Sequence, residues 1–334
     1  MKEIAPRDEA GQFKFPATTD APVKHMIGLG ARLLAISALE TFEVRTPDSV
    51  DPERKYPDAP WVNTKVRDVG TASPIVARTF MTAHQFLHGN WEKGSRQEAV
   101  LECVYGLMEG LLHCQAVVDE LREDCKRLEA IVVESNSDGK RTRAVINFPV
   151  VDRLNARCLD FLIHARGALT QQSQMVGLFV TLKRHHSDIR YLVKNELSAD
   201  AKLEPLASYL ASWFDFADRI VDLRNGLEHA ATTAKKTYVH NYVQRGDKSI
   251  VAPQWQLHGG QEEFILSEMQ YTVDSLVQMA ESLFLYCFDV TKPAFPPIVI
   301  VGVEKPEADC PVRYRPHFDI SALPMVSSPV PPEA

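Results

Sequence analysis

"DRIVDLRNGLEHA", residues 218–230, is the stretch on which the reading of this chain turns. Ahead of it Leu206, Leu210, Trp213, Ala217 and Ile220 recur at helical spacing, broadened by Tyr209, Phe216 and Leu223. The spacing predicts a helix over about 201–225 with one apolar face. Gly226 then loosens or ends that helix. If the helix continues, Asn225 and His229 stand at i and i+4 on one face, and Arg224 and Glu228 form a second such pair.

Working outward, residues 149–184 form a helical run too long, without caps, to be one element. It leads into "LKRHHSDIR", residues 182–190, which concentrates Lys183, Arg184, His185, His186 and Arg190, with Lys194 just beyond. In an acidic chain this is the strongest local candidate for holding phosphate, with Lys183, Arg190 and Lys194 at helical spacing. A solvated helix face is its plainer explanation. After the quoted stretch, "KTYVHNYVQ" and "SIVAPQWQL" flank residues 245–248 and predict a β-hairpin. Tyr238, Tyr242 and Trp255 there either stack on bases or pack the hairpin on helices. Leu266, Met269, Val273, Leu276, Ala280, Leu283 and Cys287 follow in alternating steps of three and four, a heptad seam suited to a bundle.

Toward the N-terminus, residues 23–42 are apolar at helical spacing and are predicted to form a first helix, and residues 75–87 a second. Over 96–128, Val100, Cys103, Leu107, Leu111, Cys114, Val118, Leu121, Cys125 and Leu128 form a continuous stripe, the clearest helix of this half. Residues 132–148 break the pattern, with a small hairpin expected around Asp138–Gly139. Beyond Thr291 lie ten of the 21 prolines, so helix is not expected there, although residues 298–303 suit one strand. The expected architecture is mainly α: an N-terminal helical domain over 1–135, a helical bundle with an inserted β-hairpin over 149–290, and a Pro-rich tail over 291–334.

Bulk properties narrow the function. A net charge of −7 gives no global attraction for nucleic acid, so a polyanion would be met only by local patches. Six cysteines without a CxxC pair suit a reducing, cytoplasmic setting, and Cys103, Cys114 and Cys125 at eleven-residue intervals read as packed thiols on one stripe. The N-terminus lacks the apolar core of a signal peptide, and no run of 18 apolar residues predicts a membrane span. "GLGARL", residues 28–33, lacks the third glycine of a dinucleotide fingerprint, and neighbouring His185 and His186 diverge on a helix, so neither a cofactor nor a metal is expected.

An Arg followed by His after four to six intervening residues occurs three times: Arg78 and His84, Arg157 and His164, Arg224 and His229. The first two fall inside apolar helical runs and read as satisfied helix histidines. "LRNGLEHA" resembles the signature of the HEPN superfamily, an Arg and a polar residue followed after a short spacer by His, near the end of a helix in a four- or five-helix bundle. The resemblance covers roughly residues 149–290. It implies a metal-independent endoribonuclease, working as a homodimer with two motifs face to face, of the kind used as toxins or phage-defence effectors and restrained by an antitoxin or regulatory protein. Carried over, Arg224 would hold the scissile phosphate, His229 would move the proton, and Asn225 would orient either.

The residue types suit that chemistry on their own terms. Attack by a 2′-hydroxyl needs a proton removed near neutral pH, which histidine does, and a planar guanidinium meets two phosphate oxygens as their charge grows. One histidine does not readily serve both proton transfers, so a second motif across a two-fold axis supplies the other. Arg224 with Glu228 is equally readable as an exposed helix pair, and His229 as a cation suited to a helix C-terminus. Two other functions therefore remain open: a non-catalytic helical module that dimerises or binds a partner through the heptad seam, and an RNA- or nucleotide-binding regulator without turnover.

Overall fold

A computed structural model describes residues 15–88, 94–137, 150–184, 186–229, 235–245, 249–293 and 297–319. The hairpin expected around Asp138–Gly139, His185 and residues 246–248 lie outside these residues.

Residues 23–42 are not a helix. Gly28 and Gly30 weaken helix locally, and Gly30 adopts φ +58°, which lets the chain reverse between strands β1 (His25–Leu29) and β2 (Arg32–Ile36). With β3 (Thr41–Arg45) and β4 (Val62–Arg67) they make an antiparallel meander in the order β1-β2-β3-β4. His25 faces Ile36 and Leu33 faces Val44 across it. Ala35, Phe42 and Val44 are its buried centre, with Phe15, Val23, Leu33 and Trp61 packed against them. Between β3 and β4 lies a single turn, α1 (Pro47–Val50), whose N-terminal amide at Ser49 donates to the Thr46 hydroxyl. The expected second helix is present as α2 (Pro74–Val76), a π turn (Ala77–Met81) and α3 (Thr82–Leu87).

The stripe over 96–128 lies on α4 (Ser95–Ser137), and its residues are buried except Cys103, which is half-buried. Each large apolar side chain so covered contributes about 1.5–3 kcal/mol. The long run after residue 149 ends as α5 (Leu154–Phe179), and Val180 takes an extended conformation. There follow α6 (Ile189–Leu192), a π turn (Val193–Leu197), α7 (Glu204–Ala211) and α8 (Phe214–Glu228). The helix expected over 201–225 is thus two helices broken at Ser212–Trp213.

The hairpin forms, with an extra strand. β5 (Thr237–His240) pairs with β8 (Gln254–Leu257), β6 (Val243–Gln244) with β7 (Ile250–Val251), and β9 (Glu262–Phe264) adds to β8. Trp255 and Tyr242 are buried in packing, whereas Tyr238 stays exposed. The seam residues Met269 through Cys287 are buried on α9 (Ile265–Thr291), and Leu266 is half-buried. β10 (Ile298–Gly302) and β11 (Tyr314–Phe318) then pair in the proline-rich region.

The expectation of a mainly α chain with one hairpin and a helical N-terminal domain is therefore corrected. Among the described residues four antiparallel sheets, of four, three, two and two strands, accompany the helices, so the fold is mixed. Apolar spacing alone did not separate a buried meander from a helix, because β2 is nearly continuous in Leu, Ala and Ile.

By contacts the chain groups into one unit made of residues 1–102 with 287–334, and a second of residues 103–286. Composition placed breaks near 135–149 and at 291, whereas the contact boundaries fall inside α4 and α9. In the first unit Thr71 donates to the Asp309 carbonyl at 2.6 Å, Lys24 pairs with Asp309, and the Phe86 ring stands edge-on to Phe288. In the second, the helices are tied by Gln172 donating to the Leu276 carbonyl, Tyr209 to the Met279 carbonyl, and Arg122 to Gln270. Helix α8 packs along α5. No helix among the described residues is long and apolar enough to cross a membrane.

Candidate functional site

The quoted stretch ends α8. Ala217, Ile220 and Leu223 face the core and Gly226 is buried among them. Gly226 neither ends the helix nor caps it: it lets β5 approach. A Cβ there would stand 2.7 Å from the Thr237 amide nitrogen and 2.9 Å from the Lys235 carbonyl oxygen, and closer still to the Thr237 hydroxyl. That hydroxyl instead donates to the Leu223 carbonyl at 3.1 Å. The helix stops at His229, whose amide donates to the Asn225 carbonyl.

This arrangement gathers four side chains. Arg224 Nη1 donates to Asn225 Oδ1 at 3.0 Å and lies 3.4 Å from His229 Nε2, which accepts when the ring proton sits on Nδ1. Arg224 Nη2 forms an ion pair with Glu228, whose carboxylate also lies 3.4 Å from His229 Nε2. The Arg224 side chain is 17% exposed against 53% for His229. Its Nε is buried without a hydrogen-bond partner, an unmet donor of the kind that carries a desolvation cost. Arg224 is thus held from below while His229 faces outward. Glu228, read from sequence only as a helix partner of Arg224, stands between the two.

Leu227, the residue before Glu228, is on the wall of a depression of about 550 Å³ lined also by Asn155, Leu159, Tyr238 and His240. The exposed Tyr238 ring gives it an aromatic wall.

The basic candidates are dispersed. Lys183 and Arg184 lie on the connection after α5 rather than on a helix, and the Lys183 amide donates to Glu196. Arg190 is the second residue of α6, donates to Asp218 through Nε at 2.9 Å, lies 3.5 Å from Asp215, and covers the Phe214 ring at 4.5 Å. The Asp218 hydrogen bond raises its pKa further, so its charge is committed to α8 carboxylates. Lys194 is exposed on the π turn. Lys183 therefore shares no helical face with Arg190 and Lys194, because the chain leaves helix at Val180.

The other two Arg and His pairs differ. His84 is held down to about 4, first by burial and then by His88, so it is a neutral packed ring. His164 is not core-facing: it is 37% exposed and lies 3.7 Å from Asp160. Comparisons with family models, curated proteins and solved structures return no match to this chain, so the HEPN resemblance stands on the quoted residues and their setting.

Proposed function

We propose that the second unit is a HEPN-type, metal-independent endoribonuclease acting in the cytoplasm as a homodimer. The observation that carries the reading is the Arg224 guanidinium, which touches Asn225, Glu228 and His229 at one helix end. In the reaction His229 takes the proton from the 2′-hydroxyl of RNA. The 2′-oxygen then bonds to phosphorus, the bond to the 5′-oxygen breaks, and a 2′,3′-cyclic phosphate remains. The departing 5′-oxygen takes its proton from the second copy's histidine, and Arg224 leaves Glu228 to meet the phosphate oxygens as their charge grows. Asn225 holds the guanidinium rather than the histidine. Tyr238 offers a base-stacking surface in the depression that Leu227 lines, and the exposed Lys183, Arg184 and Lys194 offer contacts to the backbone. Six cysteines without a disulfide suit a reducing compartment. A regulatory or antitoxin protein would act by covering the outward face of His229.

The Arg224–Glu228 ion pair favours a second reading, a non-catalytic binding module in which the guanidinium charge is already neutralised by a carboxylate. Its surface would not be the heptad seam, which is buried within the chain. Labelled mixed-sequence RNA incubated in EDTA with wild type, Arg224→Ala and His229→Ala separates the two. Cleavage by wild type to cyclic-phosphate ends, lost in both variants, is expected. Equal cleavage in all three refutes the assignment of the site, and a dimer that binds RNA without cutting it favours the module.

A further inference from the structure

A separate cluster lies on two other helices of the second unit. Asp160 and His164 stand four residues apart on α5 and so share one face, and His113 reaches them from α4. His113 Nε2 lies 2.8 Å from Asp160 Oδ2, and His164 Nε2 lies 3.7 Å from Asp160 Oδ1. The two imidazole rings are 3.7 Å apart, centroid to centroid, at 30°. One ligand atom from each residue falls within 4.8 Å of the others. A tetrahedral zinc ion with bonds of about 2.0–2.1 Å needs its ligand atoms about 3.3 Å apart, a separation the two observed distances bracket. All three side chains are about half exposed, so closing on an ion costs little packing.

The surroundings suit the same ligand. Gly106, Gly110 and Gly167 line a cavity of about 470 Å³ with His113 and His164, and Glu109, one turn before His113, is on its wall. The neighbouring Cys114 is turned away: its thiol faces the Phe161 carbonyl at 3.7 Å, and burial pushes it up to about 12. Two imidazoles with one carboxylate select a borderline ion over the hard Mg²⁺ or Ca²⁺.

We propose that His113, Asp160 and His164 form a zinc(II) site that ties α4 to α5, with its fourth position, held by water, facing the cavity. No residue of it belongs to the Arg224–Asn225–His229 cluster, and the inference does not rest on the ribonuclease reading.

The full-length chain, stripped with chelator and desalted, is titrated with zinc against a fluorescent chelator, and separately with cobalt(II). Expected are one equivalent bound and visible d–d bands of a four-coordinate cobalt site without a thiolate charge-transfer band, since no cysteine ligates. Asp160→Asn and His164→Gln, checked for folding by circular dichroism, should each weaken zinc by more than about tenfold. Absence of d–d bands in the wild type, a thiolate band, or unchanged affinity in both variants would overturn the site. The wild-type cobalt spectrum decides the matter even if a variant fails to fold.

Discussion

Gly226→Ala tests whether the close approach of β5 to α8 is what the glycine is for. Judged by helix propensity alone, alanine should stabilise a helix interior by about 0.8–1.0 kcal/mol. The structure predicts the opposite sign. The new Cβ would meet the Thr237 amide at 2.7 Å and the Lys235 carbonyl at 2.9 Å, and these are backbone atoms that have no rotamer to escape into. Overpacking of this kind costs about 1–3 kcal/mol, and retreat of β5 also gives up the Thr237–Leu223 hydrogen bond, about 0.5–1.5 kcal/mol. Set against the propensity gain, the net loss is about 2 kcal/mol, which lowers Tm by about 4–8 °C in a unit of this size. Gly167→Ala is the control: it sits within α5 and an added Cβ meets nothing within 4 Å, so it should hold or raise Tm. Thermal melts followed by circular dichroism, with urea curves to check that m is unchanged, read both. A Gly226→Ala protein as stable as wild type, or more so, would refute the packing argument and return Gly226 to a purely conformational role.

Two further expectations concern charge. The Glu40 carboxylate is 1% exposed and is held by the amides and hydroxyls of Thr18 and Thr19 and by Lys65. The Thr18 hydroxyl bond, foremost, brings it down to about 2. Its folded pKa lies below the unfolded value of about 4.3, so its contribution is complete above that value and is lost as pH falls toward about 2; the drop in Tm between pH 5 and pH 2.5 should therefore be shallower in Glu40→Gln, and equal slopes would contradict the assignment. Burial pushes the thiols of Cys114 and Cys158 up to about 12 and raises Cys287 as well. An aromatic disulfide reagent at pH 8 should label the half-buried Cys310 before these three, with all six reacting in guanidinium, and early labelling of Cys114 on peptide mapping would count against the packing described.

What could be read from sequence follows the range of the interactions involved. The stripe on α4 and the seam on α9 were legible because burial on one helix face imposes its own spacing. Residues 23–42 were not, since Ile27, Leu29, Leu33, Leu34 and Ile36 fit a helical as well as an alternating pattern, and the deciding partner β3 becomes visible only once the strands pair. Gly28 and Gly30 were the local signal against helix. Arg224, Asn225 and His229 come together because they occupy the last turn of one helix and the residue after it, so their meeting needs little tertiary information. His113 and Asp160 are 47 residues apart in sequence, and only the packing of α4 alongside α5 joins them.

The composition of the first unit sets an order on biosynthesis. Its meander holds residues near the start of the chain, yet Thr71 and Lys24 find their partner in Asp309, and Phe86 finds Phe288. Residues 103–286 group as one unit by their contacts, and all of them are synthesised before residues 287–319. The contacts of Thr71 and Lys24 with Asp309, and of Phe86 with Phe288, can form only after the residues of the second unit have been made. The unit whose residues come earlier in the chain thus gains its last contacts later than the unit that interrupts it.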